Sequence, residues 1–284
     1  VNKSDRYGFN NPNKEWGKKI TSFILLGDSF IYGACVNRPN DIASNLRKIS
    51  KKSVLNLGYK ANGPLSMLAT LKEYMPKNTK NVLWFYFEGN DLTDLQSELK
   101  ISILKNYYEN ASFNQELKFK QKIIDSKISQ IIEKSVILED NITNQAIKNS
   151  NKKYKILKFI RLNETKKIIK SFSNRNKKEK IPFLELKKTL KMVKYFTDEM
   201  DSNLYFIYLP QFERYSKGIS DDKYLLVKSI VNGLSINFID VHKGLFLNEK
   251  EPLKLFPFEM WGHYNENGYK KISNFIFQRI KNGD

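Results

Sequence analysis

The run Phe23-Ile24-Leu25-Leu26 is apolar, four residues long, and broken at once by Gly27-Asp28-Ser29. A run of that length and composition suits a strand buried on both faces. Gly27 lets the backbone turn where a side chain would clash, and Ser29 falls where the strand stops and a helix can begin. Buried strands joined through helices make a parallel sheet covered on both sides. The same unit recurs along the chain. Val54-Leu55-Asn56-Leu57 runs into Gly58, and Val82 to Phe87 runs into Glu88-Gly89-Asn90-Asp91. Leu204 to Leu209 stops at Pro210, and Ile236 to Val241 makes a fifth apolar run. Between them lie helical patterns at Asp41–Ser50, Leu65–Tyr74, Leu184–Met200 and Glu266–Lys281. In the first of these, Ile42, Leu46 and Ile49 share one face. The alternation predicts an α/β fold with a five-stranded parallel sheet.

The pattern breaks from about Leu92 to Lys180, a lysine-rich stretch without glycine or proline. Phe119, Ile123, Ile124, Ile128, Ile131 and Ile132 are helically spaced, and Tyr154, Leu157, Phe159, Ile160 and Ile168 form a similar set. Residues 92–180 therefore read as a helical insertion within a single domain of residues 1–284. Starting right after Asp91, it projects from the sheet's carboxyl edge as a lid, a partner contact or a membrane-surface contact. Much of the formal net charge of +19 lies there, around Lys148 to Lys180. That excess suggests contact with a polyanion, although an AT-rich coding bias would give the same lysine, asparagine and isoleucine abundance. The arginine-rich and base-stacking signatures of nucleic-acid modules are missing, so no specific nucleic-acid partner is expected. No apolar run approaches the roughly 20 residues of a membrane span, and the polar start Val1-Asn2-Lys3-Ser4-Asp5-Arg6 does not read as a signal peptide.

Chemistry is expected at the strand ends. A serine at a strand-to-helix junction presents its hydroxyl beside backbone N–H groups at the sheet's carboxyl edge. An alcohol needs a base within hydrogen-bond reach, and the chain offers two histidines, His242 after the fifth strand and His263 before the last helix. Cys35 is the single cysteine, so no internal disulfide forms, and it reads as a small buried filler. Two distant histidines make a poor metal set, and no glycine-rich phosphate loop occurs; no metal or cofactor is expected.

The four blocks Gly27-Asp28-Ser29, Asn56-Leu57-Gly58, Glu88-Gly89-Asn90-Asp91 and Gly262-His263 resemble those of the GDSL-type, or SGNH, hydrolase family. The resemblance covers about residues 23–91 and 203–284. It implies a three-layer α/β/α sandwich, flavodoxin-like in outline, with Ser29 as nucleophile and His263 as base. It also implies an oxyanion held by Asn90 and by the backbone N–H groups of Ser29 and Ala61. Three positions depart from the family pattern. Ala61 stands where the family has its second-block glycine, with Gly58 and Asp28 as further pocket residues. Glu88 replaces a glycine and places a carboxylate beside the pocket, for substrate or a lysine. Met260 stands where the family has the acid that orients the histidine, leaving Glu259 or Asp240 as substitutes, or a Ser-His dyad. The implied activity is that of a serine-dependent esterase or O-acyltransferase on an acylated, O-acetylated carbohydrate, in the bacterial cell envelope or cytoplasm. The alternative is a weak or inactive module on the same fold that binds an acidic glycan or a protein partner.

Overall fold

The computed structural model describes residues 4–148 and 181–283. By its contacts the chain divides into two compact units, residues 1–116 with 181–284, and residues 117–180.

In the first unit, five parallel strands form one sheet in the order β2-β1-β3-β4-β5. The strands are β1 (Thr21–Leu26), β2 (Val54–Asn56), β3 (Thr79–Phe87), β4 (Asn203–Leu209) and β5 (Asn237–Asp240). The helices are α1 (Ser29–Tyr32), α2 (Ile42–Ser50), α3 (Pro64–Tyr74), α4 (Asp91–Glu98), α5 (Ser102–Glu109) and, in the second unit, α6 (Gln121–Lys148). They continue with α7 (Phe183–Glu199), α8 (Glu213–Ser216), α9 (Asp222–Gly233), α10 (Val241–Gly244) and α11 (Glu266–Asn282). Register in the sheet is set by alternation, since successive side chains point to opposite faces. Ile24, Leu26, Val82, Trp84, Leu204 and Phe206 face one core, with α3, α4, α5, α7 and α9. Phe23, Leu25, Leu83, Phe85, Tyr205 and Ile207 face the other, with α1, α2 and α11. Both cores are closed, and the result is a three-layer α/β/α sandwich. The expected strands are all present, and the helices after β3 begin at Asp91, packed against α3 and α7.

Two glycines hold the carboxyl edge together by their size. A Cβ on Gly27 would stand 2.4 Å from Cγ1 of Ile31, and one on Gly58 would stand 2.6 Å from its Cβ. Ile31 thus packs directly over the ends of β1 and β2, which draws α1 down onto the sheet.

The outer edge of β2 is met by side chains from the lead-in and from α2. Asn11 donates from Nδ2 to the Asn56 carbonyl at 2.8 Å and accepts from its N–H at 2.8 Å. Arg47 donates to the Val54 carbonyl at 2.7 and 3.0 Å, and Glu15 accepts from the Val54 N–H at 3.4 Å. Asp5 gathers the lead-in by accepting from the Tyr7 and Phe9 N–H groups, Asn11 and the Trp16 indole. The Tyr7 ring then packs edge-on with Trp16 and Tyr74, and Phe9 packs edge-on with Tyr74.

In the second unit, α6 carries Ile123, Ile128, Ile131 and Ile132 exposed, with Phe119 just before it. The apolar set from Tyr154 to Ile168 and most of the basic run up to Lys180 lie outside the described residues. Among the described residues no helix is long and apolar enough to cross a membrane, and no cluster of three or more potential metal ligands occurs.

Candidate active site

The order 2-1-3-4-5 reverses at β1 and β3, and crevices for ligands in open α/β sheets form outside the carboxyl ends at such a reversal. Ser29 leaves β1 there and Asn90 leaves β3 there. A cleft of about 270 Å³ opens between them, lined by Asp28, Ser29, Phe30, Phe87, Gly89, Asn90, Gln211, Phe212, Glu213, Trp261, Gly262 and His263.

Ser29 Oγ lies 2.7 Å from Nε2 of His263, across 234 residues of chain. The imidazole is placed by packing. Phe30 stands 4.0 Å from the Phe87 ring and 4.5 Å from the imidazole, centroid to centroid, and 4.9 Å from Tyr264. Burial pulls the His263 pKa below its ordinary value, and Lys60 lowers it further. A neutral imidazole with its lone pair toward a hydroxyl has the geometry and protonation state of a general base.

Asp28 and Asn90 form the floor. Asp28 caps α1 by accepting from the Phe30 N–H at 2.9 Å, and its second oxygen accepts from Asn90 Nδ2 at 3.3 Å. Burial pushes the Asp28 carboxyl up to about 6, against these stabilising hydrogen bonds. Asn90 precedes α4 without capping it, so its amide stays turned to the cleft's floor, with Oδ1 buried and unpartnered. Behind it Asp91, fully buried, is pushed far above the carboxylate range by burial and then by Asp28.

The loop after β2 adjoins this turn, since the Tyr59 N–H donates to the Gly27 carbonyl at 3.1 Å. Ala61, on that loop, takes φ 60, the left-handed conformation that a glycine at this position would hold without strain. The Gly58 N–H is already committed to Asn56 Oδ1 at 2.9 Å. Gly58 is required for the close approach of Ile31, and its expected part in substrate binding is corrected accordingly.

Four further expectations are corrected. Glu88 is not open to substrate: its side chain, 5% exposed, pairs with Arg214 at 2.6 Å and accepts from Tyr208 OH at 2.5 Å and the Gln211 N–H at 2.7 Å. It fixes the loop that presents Gln211, Phe212 and Glu213 to the cleft. Asp240 does not orient His263, because it caps α10 through the Lys243 N–H and accepts from Tyr224 OH at 2.5 Å. Glu259, at φ 53, acts on Lys254, whose pKa rises through Glu251 first and Glu259 last; it is absent from the charges that act on His263. Cys35 is not a buried filler but exposed, with Sγ 3.7 Å from Nδ1 of His263.

His242 is the histidine that does not reach the site. It is buried, with Nδ1 2.8 Å from Tyr215 OH and its ring edge-on to Tyr224. Gln211, Glu213 and Trp261 were missed by sequence reasoning, since no motif marks them; only an exposed indole two residues before His263 offered a signal.

No family model matches the chain, and no curated protein matches it in sequence. Solved structures resemble it across nearly their whole lengths. One is a lipolytic protein of the G-D-S-L family from Desulfitobacterium hafniense DCB-2, at 13% identity over 91% of this chain and 98% of that one, with a TM-score of 0.49. The acetyl xylan esterase AlAXEase matches at 9% identity over 91% and 99%, with a TM-score of 0.50. A lipase/acylhydrolase from Enterococcus faecalis matches at 14% identity over 93% and 96%, with a TM-score of 0.49. With its 2-1-3-4-5 sheet, its two helical layers and its serine block after the first strand, the chain has the fold of the GDSL-type, or SGNH, hydrolases.

Proposed function

We propose that this protein is a serine-dependent esterase or O-acyltransferase whose acyl-enzyme forms on Ser29. The observation that carries the reading is the 2.7 Å contact between Ser29 Oγ and His263 Nε2 beside Asn90. Ser29 Oγ attacks the ester carbonyl carbon while Nε2 takes its proton. The Asn90 amide and the Ser29 and Ala61 N–H groups receive the charge that builds on the carbonyl oxygen; one such donor is typically worth about 10²–10³ in turnover. Collapse expels the alcohol, which leaves with the proton from His263. Water or a sugar hydroxyl then attacks the acyl-serine under the same base.

An acylated carbohydrate is the substrate class that the cleft suits. Gln211 and Glu213 line its wall and give it polar side chains to meet a substrate hydroxyl. Trp261, 76% exposed, stands at the rim, where a broad amphipathic ring packs against the apolar face of a sugar. We read the chain as one such domain with the lysine-rich stretch set into it from about residue 117, since residues 92–116 pack with the sheet's own helices. Contact with a polyanion is supported on the first unit itself, where Lys14, Lys18, Lys19, Lys48, Lys51 and Lys52 border one broad cleft.

Labelling with a fluorophosphonate tests the reading: one adduct on Ser29 in the wild type, none in Ser29→Ala, and hydrolysis of aryl acetates by the wild type alone. A wild type that resists the probe and leaves aryl acetates intact removes the enzyme. The second reading, a weak or inactive module that binds an acidic glycan or a protein, draws on the absence of a carboxylate at His263 Nδ1 among the described residues and is then the one retained.

A further inference from the structure

A general base of this kind works in one tautomer. The proton must sit on Nδ1 so that the Nε2 lone pair meets the serine hydroxyl, and an acceptor at Nδ1 normally enforces this. Here Asp240 is engaged elsewhere and Glu259 is exposed, and the group that closes on Nδ1 is the sulfur of Cys35 at 3.7 Å. That sulfur is held in place from two sides. The Ala34 N–H donates to the Ser29 carbonyl at 3.0 Å, and the Ala34 carbonyl accepts from Tyr269 OH, on α11, at 3.2 Å. The chain then turns through φ 67 at Cys35 itself, which aims the thiol back at the imidazole.

Resting on the hydrolase reading above, we propose that Cys35 is the positioning residue of this site, its sulfur accepting the Nδ1–H of His263 and so keeping Nε2 free for Ser29. Sulfur is a weak acceptor. It selects the tautomer but adds no formal negative charge to steady the imidazolium that forms during attack. The site is therefore a triad with its third member changed in kind and brought from the nucleophile's own end of the chain. Among the described residues, the ring meets Phe30, Ser29 and Cys35 and feels the charge of Lys60. A carboxylate placed at position 35 would act against Lys60 and should raise the imidazole pKa.

Cys35→Ala, Cys35→Ser and Cys35→Asp test this. Aspartate tolerates the left-handed conformation better than most residues, so the third variant suits the backbone it inherits. Two readouts separate positioning from mere packing: the pH dependence of fluorophosphonate labelling at Ser29, and the nitrogen-15 shifts of His263, which report the tautomer. We expect Cys35→Ala to label about 10- to 100-fold more slowly and to lose the Nδ1–H preference. Cys35→Ser should fall between alanine and wild type. Cys35→Asp should recover at least the wild-type rate, with its acid limb moved to higher pH. Alanine labelling at the wild-type rate, with an unmoved limb and an unchanged tautomer, overturns the proposal. If the wild type fails to label at all, the hydrolase reading falls while the tautomer comparison still decides the role of Cys35.

Discussion

The two histidines occupy matching places and opposite circumstances. Each follows the carboxyl side of the sheet, and burial pulls both below the ordinary imidazole pKa. His242 has the acids: after burial and Arg214, which lower its pKa, Asp240, Glu88 and Asp221 act to raise it. Among the described residues the charge acting on His263 is that of Lys60, yet this is the histidine that meets a serine hydroxyl. A supply of carboxylates thus does not select the base. Its place over the β1/β3 reversal does, and of the acids near His242, Glu88 and Asp221 hold Arg214 and the loop it carries while Asp240 caps α10.

The sharpest way to break this comparison is to exchange the losses. Ser29→Ala and His263→Ala should each lower turnover by about 10⁴-fold or more, measured with an aryl acetate. His242→Asn should leave turnover within about twofold and act only on the melting temperature. A reversal of the two histidines' effects would transfer the base to β5. Next in size, Arg214→Ala leaves the buried Glu88 side chain without its ion-pair partner, a cost of about 3–5 kcal/mol. Calorimetry should show the melting temperature falling by about 10 °C; a change under about 2 °C would mean that the clamp does not hold the loop.

Asn90→Ala should reduce kcat about 10²–10³-fold with little change in KM. An equal rise in KM with kcat intact would instead assign Asn90 to ground-state binding. The smallest effect sharpens the electrostatic half. The base works when neutral, so kcat/KM falls as pH drops through the His263 pKa, and the acid limb should lie below pH 6.5. Lys60→Met removes a positive neighbour and should move that limb upward by a few tenths of a unit. A downward shift would be inconsistent with Lys60 as the charge acting on this ring.

The strands and the nucleophile's block were legible because burial on both faces leaves short apolar runs, and because Gly27 admits no side chain under Ile31. Strand starts were not: Thr21, Ser22 and Thr79 to Asn81 are polar at the amino edge, so β1 and β3 begin two or three residues before their apolar runs. Helices α4 and α5 were absorbed into the lysine-rich stretch, since no glycine or proline parts them from residues 117–180 and their buried core contacts, Leu92, Leu95 and Tyr107, are few. The Ser29–His263 pairing was legible through block order alone. The Cys35–His263 contact was not, because it joins positions 228 apart through a left-handed residue, which no local pattern encodes. Glu88 looked like a pocket carboxylate because its partner, Arg214, is 126 positions away.

The dressing of β2 has a consequence for how copies of this protein meet. An outermost strand normally leaves every second amide and carbonyl unmet, ready to zip onto another extended chain. Here Val54 and Asn56 have both groups taken, by Glu15, Arg47 and Asn11. The lead-in acts as a stopper made of side chains, and a protein relieved of those first residues would offer its neighbours a sticky seam where it now presents a finished hem.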